Sequence, residues 1–517
     1  MATESHLDSS LLKIVKGAGV GFTGSIIGMF LGYITRLVIA RWLGAGDYGL
    51  VNLGFAAMSI FATLALVGLP AGIKRYVSYY KGQEDESRIK GTILSGLMIS
   101  FPMSIIFTGL VFFNAEWISV QIFREPELTS VLMIFALAIP FMVVARNFIL
   151  ATIGFQDLRY RVYVNDMFQN IFKVIAIVVL LSLGYGVIGV AIGWVLAIMC
   201  MPFLAFYFLE KRVFPVFRTT VKAIYTRREL LMFSLPLIFV GIAAMVTNWT
   251  DTLMLGYFAT TEDVGVYNAA FPTARLLSVF LTSFGAIFMP VISELYSRNA
   301  LDDLRDTYSA VTKWIFALIV PIFLLMVLFS NWILDLMFGQ EFVRGATALS
   351  ILAFGYLVVS VVGPTGQVLQ AYGRTRVLMA MSFFGAGINV VLNYVLIPIY
   401  GVNGAAVATG TSLATMNVLH LVVVHRIAGL QPFRRTYLKP LTASILAVAI
   451  IYPVTRYVVG VSLMSLLGMF VVFIVLYFFL LLAMKSFEKE DLMVMRAIDK
   501  KLNVNTHWIR RIIMKFL

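Results

Sequence analysis

"INVVLNYVLIPIYGVNGAAVATG", residues 388–410, decides how the chain is read. Asn389 and Asn393 stand four residues apart in an apolar run, followed by Pro398 and a turn rich in glycine and alanine. That spacing puts both amides on one face of a helix. In hydrocarbon each amide needs a partner, so the pair is expected to hydrogen-bond to a neighbouring helix. Gly401, Gly404, Ala405, Ala406 and Ala408 let consecutive helices approach closely across a very short connection.

The stretch has a double earlier in the chain. "YGVIGVAIG" at 185–193 aligns with residues 400–410, pairing Tyr185 with Tyr400, Gly186 with Gly401, Gly189 with Gly404 and Ala191 with Ala406, at an offset of 215. "GDYGLVNLGFA" at 46–56 aligns with "EDVGVYNAAFP" at 262–272, pairing Asp47 with Asp263, Gly49 with Gly265 and Asn52 with Asn268, at 216. Two matches at nearly one offset argue for a duplicated unit. If the unit holds six membrane spans, both copies enter from the same side, giving a parallel repeat around a central cleft.

Composition supports the membrane setting. The 517 residues are 60% hydrophobic and 13% charged, with a mean hydropathy of +0.92; a soluble domain is about 45–50% apolar. Fourteen runs, from 19–42 to 461–484, are long enough to cross a bilayer. The expected fold is all-α and integral to the membrane: a six-helix lobe over 1–215, a second over 216–430, two added transmembrane helices over 431–485, and a cytoplasmic basic tail over 486–517. In the tail Ile509, Ile512, Ile513 and Phe516 share one helical face, while Arg510, Arg511 and Lys515 lie elsewhere, the pattern of a helix on the membrane surface.

A net charge of +14 would suit nucleic-acid binding, but the cations sort by topology. With the N-terminus inside and span ends counted to the side they border, Lys and Arg fall as 32 inside, 4 outside and 4 within spans. This is the positive-inside rule, so no nucleic-acid partner is expected, and the chain reads as a multi-pass protein of the cytoplasmic membrane with both termini cytoplasmic. The first 18 residues carry charges and no small-residue cleavage site, so no removed signal peptide is expected. A lone cysteine, Cys200, and four scattered histidines provide no metal site, and no cofactor motif appears. The chain also lacks GxxxxGK followed by Ser or Thr, which argues against ATP hydrolysis.

An ionisable group inside a span costs about 2.5–3.5 kcal/mol and marks a pathway or an internal pair. Arg36 and Asp251 fall toward the outside, Lys173 and Arg275 near the middle, and Arg146 and Asp166 toward the cytoplasm. Arg36 and Asp251 are 215 residues apart, the repeat offset, which makes an ion pair between them a candidate gate. Arg146 and Asp166 are expected to pair on the cytoplasmic side of the cleft. Lys173 and Arg275 have no acid at their depth and are expected to face water or an anion. The six sum to +2, so Arg36, Lys173 and Arg275 form a cationic cleft suited to phosphate or diphosphate. Prolines within spans, among them Pro102, Pro140, Pro321 and Pro364, allow helices to bend.

"RLVIARWLGAGDYGLVNLGFA" (36–56), "DTLMLGYFATTEDVGVYNAAFPTARLLSVF" (251–280), "MPVISELY" (289–296) and the opening stretch together resemble the polysaccharide transporter branch of the multidrug, oligosaccharidyl-lipid and polysaccharide exporter superfamily. The resemblance implies an alternating-access flippase that moves a glycan linked to polyprenyl phosphate or diphosphate between leaflets. Its partners would be the lipid-linked glycan, membrane lipids and glycan-assembly enzymes, with H+ or Na+ coupling left open. Arg36, Asp251 and Arg275 match charged positions of the family's motifs, whereas Lys173 and Arg146 rest on depth alone. Three alternatives remain: a cation-coupled multidrug exporter of the same superfamily, a membrane-embedded glycan ligase, and a structural scaffold for glycan assembly.

Overall fold

The computed structural model describes residues 24–433, 435–454 and 463–486, and these are helical almost throughout. The tail expected over 486–517 lies outside the described residues except for Ser486. By compactness the chain divides into two units, residues 1–269 and 270–517.

The first unit opens with α1 (Gly24–Leu43) and α2 (Ala45–Ala65), joined at Gly44. Gly44 has φ 83°, a conformation that side-chain-bearing residues rarely adopt. The link after α2 passes through Val67 and Gly68, both at positive φ, and Pro70 sits in the first turn of α3 (Leu69–Gly82), where its missing N–H costs nothing. Asp85 caps α4 (Glu86–Phe113) by accepting the Arg88 amide at 2.9 Å. Then follow α5 (Leu128–Gly154), α6 (Arg159–Ser182), α7 (Gly186–Val213) and α8 (Arg227–Phe258). The link between α7 and α8 is docked along the start of α4. Lys90 donates to the Thr219 and Val221 carbonyls at 3.2 and 3.0 Å, the Ile224 amide donates to the Ser87 carbonyl, and Glu210 accepts the Phe217 and Arg218 amides.

Helix α9 (Thr261–Arg275) begins in the first unit and meets α2 through the positions the repeat pairs. A Cβ on Gly49 would strike the Thr261 carbonyl, and one on Gly265 would strike the Ala45 carbonyl. The contact is therefore reciprocal, each glycine lying against a backbone carbonyl of the other helix. Local bonds repeat too: Asn52 donates to the Tyr48 carbonyl at 2.7 Å and Asn268 to the Val264 carbonyl at 2.9 Å.

In the second unit α9 breaks after Arg275 and continues as α10 (Ser278–Ser297), bent by 43°. Then come α11 (Leu301–Leu328), α12 (Gln340–Val362) and α13 (Thr375–Ala428). Helix α13 is two helices joined at Gly401, whose φ of 53° and ψ of −127° interrupt the spiral. The added helices, α14 (Leu438–Pro453) and α15 (Leu463–Ala483), pack on α11. The Tyr477 hydroxyl donates to the Ala317 carbonyl at 2.7 Å. That carbonyl lies four residues before Pro321, which has no N–H to offer it. Tyr308 similarly donates to the Val362 carbonyl at 2.6 Å, where Gly363 (φ 74°) ends α12.

Among the described residues ten helices are long and apolar enough to cross a membrane, or eleven with the bent pair α9–α10 counted as one. The expected fourteen exceeds this count for physical reasons: Gly401 joins two expected spans into α13, and α14 and the apolar core of α15, Gly468–Ala483, are short. Large apolar side chains stay exposed, including Phe113, Phe203 and Val475 at 85%, 69% and 65%. Such faces suit hydrocarbon.

Candidate functional site

Gly24, Gly28 and Gly32 recur every four residues and form a stripe on α1. Each faces a residue of α6 at the same spacing: Gly24 meets Val162, Gly28 lies against Asp166 and Gly32 faces Asn170. A Cβ on Gly28 would come within 2.9 Å of the Asp166 Cβ and 3.1 Å of its Cα, so only glycine permits this approach. The facing stretch of α6, Val162–Phe168, is π-helical, a widened turn often found at functional sites.

The stripe leads to the charges. Asp166 is buried; its Oδ1 accepts the Asn165 amide at 3.1 Å, while its Oδ2 has no hydrogen-bond partner among the described residues. Asn170 donates to the Asp166 carbonyl at 2.9 Å and with its Oδ1 accepts the Lys173 ammonium, also at 2.9 Å. Lys173 is only 6% exposed, and its Nζ lies 4.7 Å from the centre of the Trp194 ring on α7. Arg36, one turn beyond Gly32, is half-buried, and the register that sets Gly32 against Asn170 brings it level with the turn of α6 that carries Lys173. Neither cation forms an ion pair among the described residues. Two neighbouring positive charges, one buried, repel each other and lack a counter-ion, which makes the place receptive to an anion.

Two expected pairs are not formed in this structure. Arg36 does not bridge to Asp251; the Asp251 side chain is buried and accepts the Tyr267 hydroxyl at 2.6 Å. Arg146 on α5 does not bridge to Asp166, whose contacts stay within its own helix and the α1 stripe. Arg275 is exposed, in the last turn of α9 directly before the break. Asn389 and Asn393 are buried; Asn393 donates to Asn389 Oδ1, and Asn389 donates to Thr409 Oγ1 beyond the Gly401 break, both at 3.1 Å. These bonds join the two halves of α13.

The sequence reading passed over Asn170, Trp194 and the glycine stripe. Asn170 was accessible, since it lies four residues after Asp166 and three before Lys173. The stripe is a small-residue repeat visible in the sequence. Trp194 carries no local signal, because only tertiary packing puts it beside Lys173.

Outside the membrane-spanning segments, burial and then a 2.8 Å hydrogen bond to Glu229 push the Tyr80 hydroxyl up to about 12.

A family model described as polysaccharide biosynthesis protein matches residues 14–296, and one described as MatE matches residues 236–395. Lipid II flippase MurJ of Bacillus subtilis is 21% identical, over 87% of this chain and 89% of the relative. Stage V sporulation protein B of the same organism is 22% identical, over 95% and 98%. A solved structure of lipid II flippase MurJ in an inward closed conformation superposes with a TM-score of 0.72 at 16% identity, covering 89% of this chain and 97% of that one.

Proposed function

This chain belongs to the polysaccharide biosynthesis protein family, and from that premise we propose that it is a flippase. It carries a glycan precursor linked to polyprenyl phosphate or diphosphate across the cytoplasmic membrane by alternating access. The observation that carries this reading is the buried Lys173 ammonium, set beside Arg36 with no carboxylate of the described residues paired to either. A phosphate supplies the missing negative charge, and the guanidinium and ammonium suit it by shape and charge. Arg36 then acts as a phosphate contact, and Asp251 braces α8 through Tyr267. Exposed Arg275, at the α9 break, is the place where a bend changes access.

The proposal includes fourteen crossings with cytoplasmic termini, lobes over 1–215 and 216–430, the two added helices, and the basic tail on the membrane surface. H+ or Na+ drives the cycle, and glycan-assembly enzymes supply the lipid-linked sugar. Lipid II flippase MurJ, similar over most of the chain, is named as a flippase, which speaks against a ligase. The MatE match favours one second reading, a cation-coupled multidrug exporter. Lys173 and Arg36 repel organic cations and so weigh against it.

The test is reconstitution of the purified chain alone in liposomes with a fluorescent polyprenyl diphosphate sugar, reading the fraction that changes leaflet. Flippase activity predicts protein-dependent equilibration. Sugar lipid that stays put while an organic cation is exported would establish the second reading.

A further inference from the structure

Trp194 is a buried indole whose Nε1–H has no acceptor among the described residues. Buried tryptophans ordinarily satisfy this donor, so an orphan donor in an otherwise well-packed place marks a missing acceptor. Its surroundings say what the acceptor belongs to. The Trp194 ring packs against Phe55 of α2 at 4.5 Å and Phe135 of α5 at 6.0 Å, and Phe55 in turn meets Trp249 of α8 at 5.6 Å. Phe55 and Trp249 are only half-buried, so this aromatic group has an accessible edge. Lys173 lies over the same indole, and its ammonium makes one side-chain hydrogen bond, to Asn170, out of the three it can donate.

We propose that Trp194, Phe55 and Trp249 form the subsite for the first sugar of the lipid-linked glycan, with the Trp194 indole N–H donating to a hydroxyl or acetamido oxygen of that sugar. This rests on the flippase reading and extends it from the phosphate to the carbohydrate. A pyranose has apolar C–H faces and a rim of hydroxyls, so it needs aromatic surface beside a few placed donors. In a polyprenyl-linked glycan the first sugar is bonded directly to the phosphate. A phosphate held by Lys173 and Arg36 therefore brings that sugar to the ring lying 4.7 Å from Lys173 Nζ. A flat organic cation would also stack on these rings, but the two neighbouring positive charges repel it.

The experiment measures binding to the full chain in lipid nanodiscs. The probes are polyprenyl diphosphates carrying a single glucose, mannose or N-acetylglucosamine, and the same lipid without sugar. Wild type should hold at least one sugar lipid more tightly than the bare lipid. Trp194→Phe keeps a ring and deletes the N–H; it should weaken that sugar lipid by about tenfold, the worth of one buried hydrogen bond, and leave the bare lipid unchanged. Trp194→Leu should erase the preference for the sugar lipid altogether. Lys173→Met should weaken both lipids alike. If Trp194→Phe and Trp194→Leu change both lipids equally, or neither, the subsite is wrong and Trp194 only supports Lys173. If wild type binds neither lipid, the flippase reading fails and the subsite fails with it.

Discussion

Asn389 and Asn393 on α13 and Asp166, Asn170 and Lys173 on α6 are polar sets at helical spacing in apolar helices, yet their bonding differs. The α13 amides bond to each other and across to Thr409, so two helix segments are tied by buried polar groups. The α6 set bonds along its own helix and leaves Lys173 without an ion pair among the described residues. Uncompensated groups of this kind are costly inside a span. A cluster that holds its groups unmatched, in a helix widened by a π turn, is built to receive something. The α13 cluster is built to hold helices together.

If the contrast is sound, substitutions should split by region. Lys173→Met should give the largest loss, cutting flipping by about a hundredfold, the scale on which a placed charge or donor contributes, while the protein still inserts and folds. Normal flipping by this variant, measured by leaflet-selective quenching, would erase the distinction. Gly28→Leu should come next. Its side chain has no room against Asp166, so α1 must separate from α6 at a cost of about 1–3 kcal/mol, read as a lower thermal midpoint together with lost flipping. Asn393→Leu should show the opposite profile, losing about 1 kcal/mol of stability with transport largely kept. A transport defect there without a stability change would move the α13 amides into the functional class.

The smallest effect belongs to neither cluster. Tyr80→Phe removes one hydrogen bond to Glu229 and should cost about 0.5–1.5 kcal/mol. Because folding raises this hydroxyl to about 12, its contribution is complete below the ordinary tyrosine value near 10 and fades as pH rises toward about 12. A thermal midpoint of Tyr80→Phe equal to wild type at neutral pH would count against that bond.

Much of this was legible in residue order. Apolar runs locate the helices, and the amide spacing at 389 and 393 announces their bonding. The glycines at 49 and 265, paired by the repeat, meet the opposite helix reciprocally. What failed was pairing charges by estimated depth. Depth ranks residues along the membrane normal but says nothing about which helix face they occupy. Asp251 therefore went to Arg36 on paper and bonds to Tyr267 in the fold. Helix breaks were equally hidden. Pro321 signals a free carbonyl, but the hydroxyl that satisfies it comes from Tyr477, 160 residues away from Ala317.

The central claim is that unpaired cations in this chain receive a lipid-linked phosphate. The direct measurement is flipping of a fluorescent polyprenyl diphosphate sugar by liposomes holding either wild type or the double variant Lys173→Met, Arg36→Gln, matched for folded protein. The account predicts protein-dependent equilibration with wild type and none above empty liposomes with the double variant. Equal rates for the two would contradict it.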